Sequence, residues 1–346
     1  MARPIRLGLI VPDIQDPTSY YRGIGPLSML QKQMPELEFL FPNPVNWATL
    51  KLCDIIFMQR PAVPDHFNAL MMCKDEGIPV WVDFDDDNLS VPKDNPTYHM
   101  YSQMPIKDAI VKLARWCDVL TVSTEKLKKK FSVYNKNCFV VPNAVDDFLL
   151  RLRNLPTSPR EKILFWRGTP THNRNLQVIQ SEVISLGKEN PTWKFGFMGH
   201  DPIDITDQLK NSQVWPAYPI KEYFKFICQI HPTACYYVLA QNDHSQARSH
   251  VSWLEATFSN TLFIGPDHDE FRRPGTLNFK TPAEFKSIME SVIRNEIDID
   301  DHVTRSWQHI QENFMLSKVN NIRANLLKQL HEKIYGSTTV EAPVAS

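Results

Sequence analysis

Four aspartates fall within five residues, at Asp83, Asp85, Asp86 and Asp87. The residues just before them, 78–82, are wholly apolar and predict a strand whose acids emerge at its carboxyl end. Carboxylates in that position can accept a proton, stabilise a cationic centre, cap the next segment or bind a metal in a D-x-D pattern. Packed together, they are expected to raise one another's pKa. This acidic run is the first candidate site.

Polar residues also interrupt the second half of the chain at points suited to anion binding. Arg167 and Gly168 follow an apolar run, where a strand gives way to a loop and a helix. A guanidinium and the backbone amides of a helix start can hold phosphate oxygens. Arg248 and Ser249 precede a predicted helix at 250–258. The alternative for Arg248 is a surface charge on a capped helix.

Composition is that of a globular protein rather than of a nucleic-acid binder. The chain has 346 residues, of which 42% are hydrophobic, and a net charge of −1. It therefore lacks a global positive field that would attract phosphate backbones, although local patches remain open. We see no signal-peptide pattern and no apolar run near the ~20 residues needed to span a bilayer. Six widely spaced cysteines predict reduced core residues and a cytoplasmic protein, with a structural zinc site as the alternative.

Short apolar runs alternate with helix-like segments along the first half of the chain. Continuous apolar strands separated by helices are typical of a parallel sheet covered on both faces. The predicted strands lie at 7–11, 54–58, 78–82, 118–122 and 138–141, and the predicted helices include 25–33, 65–76 and 106–116.

The same alternation then starts again, which predicts a second α/β domain. Its strands are predicted at 163–166, 193–197, 235–239 and 262–265, and its helices at 175–188, 220–229 and 250–258. A polar segment with two prolines, 151–160, fits a linker between the domains. Two such domains facing each other form a cleft beyond the carboxyl ends of their strands.

The last part of the chain predicts a long amphipathic helix and a short tail. Residues 316–334 carry apolar side chains at helical spacing over roughly 28 Å, enough to return to the first domain. The small and polar tail is expected to fray. The predicted divisions are therefore 1–152, 153–315, 316–335 and 336–346.

Several segments, taken in order, resemble the GT-B glycosyltransferases of the family 4 or group 1 type, which occur in polysaccharide loci and phage genomes. The resemblance implies an α/β fold of two Rossmann-like domains facing across a cleft, with the C-terminal helix packed on the first domain. It also implies transfer of a sugar from a nucleotide-diphosphate sugar, most simply a UDP-sugar, with no cofactor or metal. The segments are 78–87 (IPVWVDFDDD) with Pro92 and 95–96, 117–126 (CDVLTVSTEK), 141–146 (VPNAVD), 165–172 (FWRGTPTH) and 242–257 (NDHSQARSHVSWLEAT).

The resemblance assigns donor contacts in the second domain. It places Arg167, Gly168, Arg248 and Ser249 at the diphosphate and Glu255 at the ribose hydroxyls. Without the resemblance, Glu255 would be taken for a solvent-facing helical acid. His172 is a secondary candidate, with a packed or capping histidine as the alternative.

The resemblance assigns the sugar-facing and acceptor side to the first domain. In many relatives this strand carries a histidine that faces the transferred sugar, and Asp85 occupies nearly the same position in this sequence. Asp85 and Asp86 are therefore the catalytic candidates, with Asp83 secondary. The segment Tyr21-Arg22-Gly23 lies where the family has an acceptor-side loop and helix start. From there Arg22 could reach the donor phosphate or the acceptor.

Departures from the family pattern keep other functions open. Arg248 and Ser252 replace two family lysines, and Ala247 replaces the second acid that some relatives carry eight residues before Glu255. A catalytically inactive binding subunit is therefore one alternative. A nucleotide-sugar epimerase or hydrolase, which would need no acceptor, is another.

The acceptor is predicted to be a saccharide or a lipid-linked saccharide, with a modified DNA base of the phage type as a second hypothesis. Lysines at 126 and 128–130, with Arg151 and Arg153, could touch anionic lipid or nucleic acid. A lysine run on one helix is more typical of a solvated face.

Overall fold

The structure, a computed structural model, describes residues 4–14, 16–153 and 159–335. Within them the chain forms two all-parallel sheets of six strands each. The first sheet has the order β2-β1-β3-β4-β5-β6 and the second the order β12-β11-β10-β7-β8-β9. The strands are β1 Ile5–Ile10, β2 Leu37–Leu40, β3 Ile55–Gln59, β4 Val80–Phe84, β5 Val119–Val122, β6 Cys138–Val140, β7 Glu161–Arg167, β8 Lys194–Met198, β9 Ser212–Trp215, β10 Pro232–Tyr236, β11 Leu262–Pro266 and β12 Leu277–Phe279.

Helices connect the strands and cover the faces of both sheets. In the first domain they are α1 Pro17–Ser19, a π-helix Tyr20–Ile24, α2 Gly25–Gln33, α3 Trp47–Leu50, α4 Pro64–Asp75, α5 Tyr98–Tyr101, α6 Met104–Trp116, α7 Glu125–Phe131, a 3₁₀ helix Asp147–Leu149 and α8 Leu150–Arg153. In the second they are a 3₁₀ helix Pro170–His172, α9 Asn173–Gln177, α10 Gln180–Glu189, α11 Ile203–Thr206, α12 Ile220–Ile230, α13 Asp243–Gln246, α14 Val251–Phe258, α15 Pro282–Ile293 and α16 Ile299–Asn313, followed by α17 Leu316–Tyr335.

The central strands are buried on both faces, as their continuous apolar runs predict. Strands β3 and β4 are buried at every residue. Helix α6 shows why the helices cover the sheet, because its buried residues recur every three or four positions. These are Ile106, Ala109, Ile110, Leu113 and Ala114, which pack in the same core as the β4 residues Val80 and Val82.

Helix α17 returns to the first domain, as predicted. Its leucines Leu326, Leu327 and Leu330 pack in one cluster with Leu7 of β1 and Leu27 of α2. Burying a leucine side chain contributes about 1.5–3 kcal/mol, so this contact fixes helix α17 on the first sheet. The predicted α/β fold with a returning helix is confirmed.

Some predicted elements differ from the structure. The edge strands β2, β9 and β12 were not predicted, and the predicted helix 175–188 is divided into α9 and α10. Residues 154–158 of the predicted linker and the predicted tail 336–346 lie outside the described residues. The four predicted divisions of the chain stay predictions.

Candidate functional site

A cavity of about 410 Å³ lies between the carboxyl ends of the two sheets and is lined from both domains. This interdomain cavity brings together most of the predicted site residues. Those that line it are Tyr21, Arg22, Asp85, Asp86, Arg167, Gly168, His172, Arg248, Ser249 and Glu255. Asp83 and Gly23 are buried beside it and are not among the lining residues.

Glu255 is the centre of the second-domain wall. It lies in α14 with only 2% of its surface exposed, so it is not a solvent-facing acid. Arg167, at the end of β7, approaches its two oxygens at 2.7 and 2.6 Å. The hydroxyls of Tyr21 and Tyr223 donate to it at 2.8 and 3.2 Å. Burial raises the pKa of Glu255, although Arg167 and both tyrosines oppose that change.

Arg248 joins the second domain to the acidic run of the first. Its Nη1 lies 3.0 Å from Oδ2 of Asp86, and its Nη2 lies 3.1 Å from Nε2 of His244. Next to it, the hydroxyl of Ser249 accepts a hydrogen bond of 2.8 Å from the amide of Asn143 in the first domain. The guanidinium is therefore held inside the cavity by both domains rather than exposed as a surface charge.

Each acid of the run 83–87 has its own cation, supplied by a different element. Asp85 is gripped by Arg60 through two bonds of 2.8 and 2.6 Å. Burial alone would raise the pKa of Asp85, but Arg60 and then Arg22 outweigh it, and the pKa is lowered. The expectation that these acids raise one another's pKa is therefore wrong for Asp85. The four pairs are Asp83 with Arg22, Asp85 with Arg60, Asp86 with Arg248 and Asp87 with Lys130.

Arg22 is fully buried in the π-helix after β1. Besides Asp83, it donates to the carbonyl of Val141 at 2.6 Å and to the side chain of Asn143 at 3.1 Å. These bonds fasten the π-helix to strand β4 and to the loop after β6. The predicted contact of Arg22 with donor or acceptor stays a prediction, and it would require one of these bonds to be exchanged.

The loop after β7 carries Gly168 and His172. A Cβ atom on Gly168 would lie 2.4 Å from two ring carbons of Trp166 and 3.0 Å from the Cβ of His172, so only glycine fits this backbone path. Burial, and then the charges of Arg248 and Arg167, lower the pKa of His172 well below its usual range. His172 is therefore a neutral side chain at the cavity wall.

Several residues of the site were missed by the sequence analysis. Arg60 follows β3, the neighbour of β4, so adjacency of the two carboxyl ends is a signal that could have found it. Its backbone is left-handed, with φ of 48°. His244 lies inside the segment 242–257 but was not singled out. Tyr223 on α12 has no local sequence signal at all.

The predicted basic cluster is partly used within the protein. Lys130 donates to Asp87 and Ser90, and Arg153 donates to the last carbonyls of α14. The guanidinium of Arg153 also lies 3.8 Å from the ring centre of Trp307. These two cations are therefore committed to internal contacts.

In the part of the chain that the structure describes, no helix has both the length and the apolar character to cross a membrane. No group of three or more His, Cys, Asp or Glu residues within the same part could hold a metal ion. All six cysteines are free thiols, and four of them are buried.

Comparison with known proteins identifies the fold. No protein-family model matches the sequence, and no curated protein matches it significantly. A glycosyltransferase from Rickettsia africae has a TM-score of 0.63 at 10% identity, over 95% of this chain and 99% of the other. HepE of Anabaena, in complex with UDP-glucose, gives 0.62 at 11% identity over 93% and 99%. S. aureus TarM, in complex with UDP, gives 0.61 at 13% identity over 79% and 55%. At these identities the similarity establishes the GT-B fold.

Proposed function

We propose that this chain, which has the GT-B fold, is a glycosyltransferase that moves a sugar from a nucleotide-diphosphate sugar, most simply a UDP-sugar, to an acceptor. The observation that carries the proposal is the meeting of Arg167, Arg248 and Glu255 in one cavity, with Asp85 and Asp86 entering it from the other domain. Two guanidiniums suit a diphosphate, and a buried carboxylate suits a pair of ribose hydroxyls.

Donor binding proceeds by exchange of ion-pair partners. Arg167 is paired with Glu255, and Arg248 with Asp86. The diphosphate takes both guanidiniums, which frees Glu255 to accept hydrogen bonds from the ribose. As the bond from sugar to phosphate breaks, the same guanidiniums stabilise the charge that develops on the departing diphosphate.

Asp85 is better suited to electrostatic stabilisation than to general-base catalysis. Its lowered pKa keeps it ionised at neutral pH. A general base works best when its pKa is near the working pH. An ionised carboxylate, in contrast, can stabilise positive charge at the anomeric carbon whenever the pH is above its pKa. We therefore assign Asp85, together with its partner Arg60, to electrostatic stabilisation of the transferred sugar.

A second groove favours a saccharide acceptor over DNA, because its charged residues Arg174 and Asp94 neutralise each other. This groove, of about 320 Å³, shares Asn95, Thr171 and His244 with the interdomain cavity. Its charged residues Arg174 and Asp94 pair with each other at 2.6 Å, one from each domain. A DNA backbone requires cations that are not already neutralised. TarM, one of the structural neighbours, is in complex with the saccharide fondaparinux as well as UDP.

The experiment that tests the function begins with calorimetric titration of UDP, GDP and ADP. A nucleotide that binds should also raise the free energy of unfolding, measured by thermal unfolding, by ~2.7 kcal/mol when its concentration is a hundred times its dissociation constant. Turnover of UDP-glucose is then measured for the wild type, Glu255→Ala, Asp85→Ala and the exposed control Lys210→Ala. Release of UDP that is lost in Glu255→Ala and Asp85→Ala but kept in Lys210→Ala supports catalysis at this site, and release that depends on an added acceptor supports a transferase rather than a hydrolase.

Other outcomes point to the alternatives. Tight nucleotide binding with no turnover of any sugar nucleotide would identify a binding subunit. Isomerisation of the donor sugar without release of the nucleotide would identify an epimerase. If none of the three nucleotides binds, the proposed donor site is wrong. Binding of duplex DNA that weakens steeply with salt would replace the saccharide by DNA as the acceptor.

A further inference from the structure

His244 links the two domains through both of its ring nitrogens. It lies in α13, lines the interdomain cavity and has 4% of its surface exposed. Nδ1 is 3.0 Å from the backbone carbonyl of Asp87, and Nε2 is 3.1 Å from Nη2 of Arg248. A carbonyl can only accept and a guanidinium can only donate. The hydrogen bonds therefore select the neutral imidazole with its proton on Nδ1.

Arg248 depends on His244 for its orientation. Its Nε is buried and has no hydrogen-bond partner among the described residues. The guanidinium is therefore fixed by Asp86 at Nη1 and by His244 at Nη2. In the donor exchange proposed above, Nη1 passes from Asp86 to the diphosphate. His244 then becomes the protein contact that keeps the guanidinium aimed into the cavity.

We propose that His244 is a positioning residue for the donor: it orients Arg248 toward the diphosphate and fixes that orientation to the backbone of the first domain at Asp87. The inference rests on the proposed function, because it assumes that Arg248 binds the diphosphate. It assigns to His244 no contact with the reacting atoms.

The chemistry of a neutral imidazole suits this task. Nε2 accepts a hydrogen bond from the guanidinium without neutralising it, so the full positive charge of Arg248 stays available to the phosphate. A carboxylate in the same place would compete with the diphosphate for that charge, as Asp86 does. A side chain without an acceptor would leave Nη2 unpaired and the guanidinium free to turn.

Two amide variants separate the two bonds of His244. The side-chain oxygen of His244→Gln can replace Nε2 as the acceptor for Arg248, whereas the shorter side chain of His244→Asn can replace only the Nδ1 proton that reaches Asp87. UDP affinity is measured by calorimetry for both variants and for His244→Ala. His302→Gln is the matched control, because His302 is a half-buried histidine bonded to a backbone carbonyl and is not among the residues that line the cavity.

We expect the alanine and asparagine variants to bind UDP about tenfold more weakly and the glutamine variant to recover most of the affinity. With UDP-glucose, the KM of the donor should rise and kcat should fall in the alanine and asparagine variants, because the same guanidinium stabilises the departing diphosphate, and both constants should recover in the glutamine variant. If His244→Asn binds like the wild type, or if His244→Gln is as weak as alanine, the inference is overturned. Arg248→Met separates this result from a failure of the proposed function. If Arg248→Met binds UDP as well as the wild type, the proposed donor site itself is wrong.

Discussion

Replacing Asp86 by asparagine is expected to tighten the binding of UDP while it destabilises the free protein. Oδ2 of Asp86 holds Nη1 of Arg248 at 3.0 Å, and its Oδ1 accepts the amide of Asp87 at 2.9 Å. Asparagine keeps an oxygen for that amide but carries no charge. A diphosphate that takes over Arg248 therefore no longer competes with a carboxylate.

The size of the effect follows from the ion pair that must be broken. A hydrogen bond between charged groups contributes about 1.5–3 kcal/mol. The side chain of Arg248 is 21% exposed and that of Asp86 9%, so solvent screens the pair in part and the lower end applies. Since 1.4 kcal/mol corresponds to a factor of ten, UDP should bind Asp86→Asn about tenfold more tightly. The free energy of unfolding of the free protein should fall by about the same 1.5 kcal/mol.

The assay is calorimetric titration of UDP into the wild type, Asp86→Asn and the control Asp87→Asn, combined with thermal unfolding. Asp87 pairs with Lys130 at 2.6 Å and does not line the cavity. The control should therefore lose stability without any change in UDP affinity. If Asp86→Asn binds UDP more weakly than the wild type or equally well, Asp86 aims Arg248 instead of competing for it, and the exchange is refuted.

Three further predictions concern the walls of the same cavity. Gly168→Ala should weaken UDP binding by at least tenfold with little loss of helix content by circular dichroism, because the new Cβ would lie 2.4 Å from an aromatic ring and displace the loop. Tyr21→Phe removes a half-buried donor to the buried Glu255 and should lower the free energy of unfolding by about 1.5 kcal/mol in urea titrations. Arg60→Gln should move acid unfolding to higher pH, because the lowered pKa of Asp85 gives stability that is present above ~3.9 and lost only as pH falls through the folded value. An acid-unfolding midpoint unchanged from the wild type would contradict this.

The sequence predicts the centre of each sheet better than its edges. Strands β3 and β4 are buried throughout, and each is apolar except for one buried polar residue near its carboxyl end, Gln59 in β3 and Asp83 in β4. The missed strands β2, β9 and β12 lie at sheet edges and are only partly buried. Their residues need not be apolar, because many of their side chains are exposed or partly exposed to solvent. No periodicity therefore distinguishes them from loops.

For the site, residue types are predictable from sequence and their pairing is not. The acids of 83–87 and Arg167 stand out by type and by position after apolar runs, and Arg248 stands out by its position before a predicted helix. Asp86 and Arg248, however, are 162 positions apart and belong to different domains. Their contact depends on how the two sheets face each other, which no local pattern encodes. The error about the pKa of Asp85 has the same origin, because its cation Arg60 comes from the end of another strand.

The paired arginines imply a balance between stability and donor affinity. An empty cavity with two unpaired guanidiniums would be costly, because a partly buried charge without a partner destabilises the fold. Glu255 and Asp86 supply the missing negative charges while no donor is bound. On the proposed function, a diphosphate must displace both carboxylates, so part of its binding free energy is lost to the exchange. The same competition favours product release, because the carboxylates reclaim Arg167 and Arg248 as soon as the nucleotide begins to leave. Stronger donor binding in Asp86→Asn should therefore come with slower release of the nucleotide.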